Sequence, residues 1–174
     1  MAGGEFNATC LPIAEFAFRP SERSIVKGFP DLPPIWWAGS IAIIYFCKWA
    51  LPGWHVASEL LGVVSRVFFY TALGIIAWSA LWFWRKKTPI EPHHTPKTLI
   101  VEGPYRLSRN PIYLALVLLT VSSAVAHGSV VGVICAFLLW AVLDRRFAAK
   151  EEALLIETFG EDAHSYLQKT RRWV

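Results

Sequence analysis

The sequence predicts an all-α protein: an integral membrane helical bundle of about four transmembrane helices, followed by a C-terminal cytosolic helical segment. Three observations carry this expectation. Hydrophobic residues make up 55% of a 174-residue chain, more than an ordinary globular domain carries. The nine tryptophans suit membrane–water interfaces, where Trp and Tyr concentrate. The basic residues gather in alternate connections between apolar runs, as the positive-inside rule requires of a membrane protein.

The length suits one domain. Residues 1–32 read as a cytosolic N-terminal arm with Pro20, Pro30, Arg19, Arg23 and Lys27. Residues 33–174 form the membrane domain. Its apolar runs cover about 34–51, 58–84, 111–126 and 128–143. Crossing the hydrocarbon core takes roughly 20 residues. The second run is ample, and the third and fourth are slightly short. Only His127-Gly128 separates those two, which predicts a tight helical hairpin. The arm, residues 85–109 and residues 144–174 are basic, whereas Pro52–Ala57 and the His127-Gly128 turn hold no Lys or Arg. Both termini are therefore expected in the cytosol, and the compact length points to a bacterial inner membrane. Trp36, Trp37, Trp82, Trp84 and Trp140 fall toward the cytosolic interface, and Trp49 and Trp54 toward the other. Lys48 and Arg66, inside runs, read as snorkelling anchors, with a functional role as the alternative.

These features exclude several function classes. The net charge of +4 does not indicate nucleic acid, because the basic residues flank apolar runs. Cys10, Cys47 and Cys135 have no disulfide or zinc spacing and read as free thiols. His93-His94 lacks further ligands at metal spacing, so no metal is expected. The N-terminus has no pattern of a cleaved signal peptide. Nothing in the runs indicates an oligomeric state.

The candidate chemistry lies in two clusters. The first is GPYRLSRNPIYLAL, Gly103–Leu116. Gly103-Pro104 marks a turn, Asn110 is a plausible N-cap, and Pro111 suits the first turn of a helix. The stretch delivers Tyr105, Arg106 and Arg109 to a helix N-terminus, where backbone N–H groups and guanidiniums attract anions. The competing reading is interfacial anchoring. The second cluster follows the fourth run. On a wheel of about 100° per residue, Arg146, Lys150, Ala153 and Glu157 share one face. Glu151 and Glu152 flank the opposite centre, Ala148 and Leu155, so both carboxylates point with the apolar stripe. That is costly without partners, and Arg106, Arg109, Arg171 and Arg172 are the candidates. Phe159-Gly160 ends this helix, and a short element with Tyr166 follows.

The series Thr98–Arg106, Ser108-Arg109-Asn110-Pro111-Ile112-Tyr113, an apolar hairpin, Glu151-Glu152, Phe159-Gly160, Tyr166 and Arg171-Arg172-Trp173 resembles the isoprenylcysteine carboxyl methyltransferase family and its bacterial relatives. Those relatives include phospholipid N-methyltransferases. The likeness covers roughly residues 85–174. Asn110 stands where the commoner family version has histidine, and Ala163 where a tyrosine often follows the Phe-Gly pair.

The resemblance implies an S-adenosylmethionine-dependent membrane methyltransferase whose C-terminal segment covers a cofactor pocket. It implies a cofactor shell of Tyr105, Arg106, Arg109, Asn110, Pro111, Tyr113, Glu151, Glu152, Tyr166, Arg171 and Arg172. Arg109, Glu152 and Tyr113 are the catalytic candidates, with Arg109 and Glu152 orienting cofactor or acceptor. The expected partners are membrane lipids and a hydrophobic methyl acceptor, of isoprenylcysteine carboxylate or phospholipid type. A related NADPH-dependent membrane reductase and a non-catalytic membrane scaffold are the alternatives.

Overall fold

The computed structural model describes residues 31–54, 56, 58–86 and 99–174. The N-terminal arm before Asp31, with Cys10, and the His93-His94 stretch lie outside the described residues. Every regular element described is helical. Helix α1 is Pro33–Ala50, α2 Glu59–Lys86, α3 Pro111–Ala126, α4 Val130–Val142, α5 Ala149–Phe159 and α6 Glu161–Lys169. A π-helical turn, Leu143–Ala148, joins α4 to α5 without a break, and a 3₁₀ turn, Gly103–Arg106, precedes α3.

Local chemistry explains the helix ends. Prolines occupy the first turns of α1 and α3, where a missing N–H costs nothing. The Ser129 side chain accepts a hydrogen bond from Gly132 N at 3.2 Å and caps α4. Gly128 turns the α3–α4 hairpin at φ +53°, and a Cβ there would stand 1.9 Å from the Val56 carbonyl oxygen. Only glycine meets both demands. At the same end Lys48 Nζ lies 3.3 Å from His127 Nδ1.

Helix α3 is central, packed against α2, α4 and α1. The buried residues of α2 are Ser65, Ala72 and Ser79, one small residue every second turn. This stripe lets α3 approach closely along the whole seam. Ser122 Oγ donates to the Ser65 carbonyl at 2.9 Å, and Trp82 lies against Gly103, so the two helices run antiparallel. On the other side of α3 a core of Tyr113, Leu116, Leu139, Leu143 and Phe147 is closed by Trp37 and Trp173. Cys47 and Cys135 are free.

The expected bundle of four membrane spans is corrected. Among the described residues one helix, α2, is long and apolar enough to cross a membrane. Helix α3 has 16 residues and α4 only 13 before the π turn, both short of the roughly 20 a crossing needs. Helix α1 has 18 but opens on two prolines and holds Lys48 near its end. Hydropathy along the chain does not show how apolar residues are used. Much of α3 is consumed by packing on its neighbours, with Tyr113, Ala115, Leu116, Thr120, Ser122 and Ala124 buried. A single candidate helix does not make an integral membrane topology, so the expected cytosolic termini and inner-membrane location are withdrawn with the spans. The all-helical class stands.

Candidate active site

Three pieces of chain converge at the N-terminus of α3: the loop 103–110, the start of α5, and the C-terminal tail after α6. The loop is shaped at Gly103. It takes φ +62°, and a Cβ there would sit 2.0 Å from the Trp82 indole nitrogen. This close approach sets Tyr105 against Phe83, ring centroids 5.7 Å apart and edge to face. Tyr166 of α6 donates to the Tyr105 carbonyl oxygen at 2.7 Å, which ties α6 to the loop. Burial raises the Tyr105 hydroxyl well above its ordinary range. Burial also pushes Tyr166 up to about 12, against the pull of Arg109.

The tail is stitched to the same loop. Arg109 N donates to the Arg171 carbonyl at 3.0 Å. Ser108 Oγ and Asn110 Nδ2 both donate to the Arg172 carbonyl, at 3.1 and 3.4 Å. Asn110 thus stands at the N-cap position of α3 without capping it by its side chain; its amide is used on the tail instead. Pro111 is buried behind it.

An ionic network fills the centre. Arg109 Nη1 lies 3.0 Å from Glu152 Oε1. Arg172 grips the same carboxylate with two bonds, Nε to Oε1 at 2.8 Å and Nη2 to Oε2 at 2.5 Å. Its remaining arm reaches Asp144 Oδ1 at 3.2 Å, and Trp173 Nε1 donates to that oxygen at 2.8 Å. The Glu152 hydrogen bond, with those of Asp144, holds the Arg172 guanidinium above its ordinary pKa. Burial favours a neutral Asp144, but the bonds from Trp173 and Arg172 outweigh it and hold the carboxyl below its usual value. Two guanidiniums face two carboxylates, so the network is charge-balanced.

Glu151 stands apart. Its Oε1 accepts a hydrogen bond from the Tyr113 hydroxyl, and among the described residues no cation pairs with it. Burial raises its pKa, Tyr113 opposes the rise, and Glu152 adds to it.

The structure therefore brings together Tyr105, Arg109, Asn110, Pro111, Tyr113, Glu151, Glu152, Tyr166 and Arg172. It leaves Arg106 and Arg171 exposed; Arg171 contributes its backbone carbonyl. Of the four arginines considered as partners for the glutamates, Arg109 and Arg172 serve, and both hold Glu152. Sequence reasoning missed Asp144, Ser108 and the role of Trp173. Asp144 carried a signal: it is the lone acidic residue between Glu102 and Glu151. The wheel also assumed a regular α-helix from Asp144 onward, whereas Leu143–Ala148 is π-helical. That wider turn shifts the phase of everything after it and aims α5 at the α3 N-terminus.

The sequence pattern of phospholipid methyltransferases matches residues 55–162, which include the loop, the hairpin and both glutamates but stop short of Tyr166 and Arg172. No curated protein matches the chain. A match over that much of the chain replaces the reductase and scaffold alternatives: the chain belongs to the phospholipid methyltransferase family and is an S-adenosylmethionine-dependent methyltransferase.

Proposed function

We propose that the protein transfers the methyl group of S-adenosylmethionine to the amine of a phospholipid-type acceptor. The observation that carries this reading is the stacking of the ionic network directly on an aromatic and aliphatic core. Trp173, which donates to Asp144, packs on the core of Tyr113, Leu143 and Phe147, its ring centroid 6.0 Å from that of Trp140. Such a junction suits a molecule with a polar reacting head and a hydrocarbon body. A specific feature favours a second reading: the guanidiniums of Arg109 and Arg172 could receive an acceptor carboxylate, as an isoprenylcysteine acceptor requires.

The residues fit the cofactor. Arg109 Nε is buried and has no hydrogen-bond partner among the described residues, a state that costs about 1–3 kcal/mol for an ordinary buried group. The cofactor carboxylate satisfies such a donor. Glu152 can meet the cofactor ammonium or ribose, and Tyr105 and Tyr113 offer ring faces to a sulfonium. When bound, the cofactor supplies an electrophilic methyl group. The protein's own share is positioning and exclusion of water. Glu152 orients Arg109 and Arg172 through its two oxygens, and Tyr113 fixes the Glu151 carboxylate. The bonds from Ser108 and Asn110 hold the tail over the loop.

The test is methyl transfer from radiolabelled S-adenosylmethionine, by purified protein, into phosphatidylethanolamine micelles or into a prenylated cysteine analogue. Label in the amine lipid alone is the expected result. Label in the carboxylate alone moves the assignment to the second reading, and label in neither sinks both.

A further inference from the structure

Two adjacent glutamates enter the site, and their surroundings divide them. Both oxygens of Glu152 face guanidiniums, Oε1 at 3.0 and 2.8 Å and Oε2 at 2.5 Å. Arg109, Arg172, Glu152 and Asp144 already cancel in charge, so Glu151 is a carboxylate that the network does not compensate. Among the described residues its hydrogen-bond partner is the Tyr113 hydroxyl. That tyrosine is itself fixed edge to face on Phe147, ring centroids 6.3 Å apart, so the carboxylate has a defined position at the apolar edge of the site. Among the described residues the groups facing it are Tyr113 from α3, Tyr105 from the 3₁₀ turn and Glu152 from its own helix. None is a cation.

We infer that Glu151, held by Tyr113, is the proton acceptor of the reaction. The inference rests on the amine reading above, because a phospholipid amine is an ammonium near neutral pH and has no lone pair to attack with. The acceptor ammonium gives one proton to the Glu151 carboxylate, which becomes a carboxylic acid. The freed nitrogen lone pair forms the N–CH₃ bond as the C–S bond breaks, its electron pair leaving on sulfur. The product is a methylated ammonium, and Glu151 returns its proton to solvent, one proton released per methyl transferred. A general base works best when its pKa lies near the operating pH. The burial that raises Glu151 moves it in that direction. Glu152, pinned between two guanidiniums, is unsuited to the task.

The test compares wild type with Glu151→Gln and Tyr113→Phe, each checked for folding by circular dichroism. Glu151→Gln should bind S-adenosylhomocysteine within about threefold of wild type in calorimetry, yet lose about 100-fold or more in methyl transfer to phosphatidylethanolamine at neutral pH. Its rate should then climb about tenfold per pH unit, as free acceptor deprotonates, where wild type levels off. Tyr113→Phe removes a bond that favours the carboxylate, so the acidic limb of its profile should move to higher pH. Independently of activity, infrared difference spectra should show a protonated-carboxyl band appearing on acidification of wild type and missing in Glu151→Gln. Loss of S-adenosylhomocysteine binding in Glu151→Gln would make it a cofactor ligand and overturn the inference. So would near-wild-type turnover with an unchanged profile. Wild-type enzyme that methylates the prenylated cysteine and no amine overturns the amine reading and this inference together.

Discussion

Arg109 meets one oxygen of Glu152 at 3.0 Å while its own Nε stays buried with no hydrogen-bond partner among the described residues. The guanidinium is thus only partly satisfied by the described residues, and the proposed cofactor carboxylate would meet the remaining donor. Arg109→Ala should therefore weaken S-adenosylhomocysteine binding by about 10- to 100-fold, the worth of a charge-assisted hydrogen bond. Arg109→Lys should not restore it, because an ammonium cannot hold Glu152 and an anion in one plane. Calorimetry on protein with unchanged circular dichroism decides this, and normal affinity in Arg109→Ala would remove Arg109 from the site.

The tail should detach when Arg172 is shortened. Arg172→Ala leaves Asp144 with Trp173 alone and Glu152 with Arg109 alone. The Arg172 side chain is 32% exposed, so solvent screens part of the loss, and a stability cost of about 1–2 kcal/mol is expected. Trp173 fluorescence should shift toward that of a hydrated indole. An unmoved spectrum would mean that the backbone bonds to Ser108 and Asn110 hold the tail by themselves.

Gly103 is strained for any other residue. Gly103→Ala adds a Cβ 2.0 Å from the Trp82 ring at φ +62°, so ring and turn must both yield, at about 1–3 kcal/mol. Urea unfolding measures the loss. Cofactor affinity should fall with it, because Tyr105 and Arg109 follow Gly103 in the same loop. An unaffected affinity would show that the loop adjusts without moving the site.

The Asp144 carboxyl gives a sign for acid behaviour. Its folded pKa lies below the ordinary carboxylate range. The stability it contributes is therefore complete above the unfolded carboxylate pKa and is lost as pH falls through the lower folded value. Trp173 fluorescence in acid should report this step, and Asp144→Asn should abolish it. A transition unchanged in Asp144→Asn would assign the acid step to another carboxyl.

The seam between α2 and α3 admits only small side chains. Ala72 is fully buried there, and Ala72→Leu should destabilise by about 1–3 kcal/mol through overpacking. Thermal melts test this, and an unchanged midpoint would show that the helices can separate without cost.

By itself, the sequence determined where the helices lie and which residues were candidates for chemistry. The apolar runs, Pro111 and Gly160 are signals that act within a turn or two, and each run falls on a helix. The Gly103–Tyr113 stretch and the Glu151-Glu152 pair were legible as motifs. Tertiary structure alone decided the rest. It consumed much of α3 in packing, which hydropathy along the chain had counted toward a span. It chose Arg172 over Arg171 and Arg106, through contacts such as Ser108 to Arg172, 64 residues apart. It inserted a π turn that no local propensity marks, gave Glu152 two cations and left Glu151 with a phenol. The physical reason is common to all of these. Burial and pairing depend on which side chains arrive from distant parts of the chain, and a change of helical phase redirects every carboxylate beyond it.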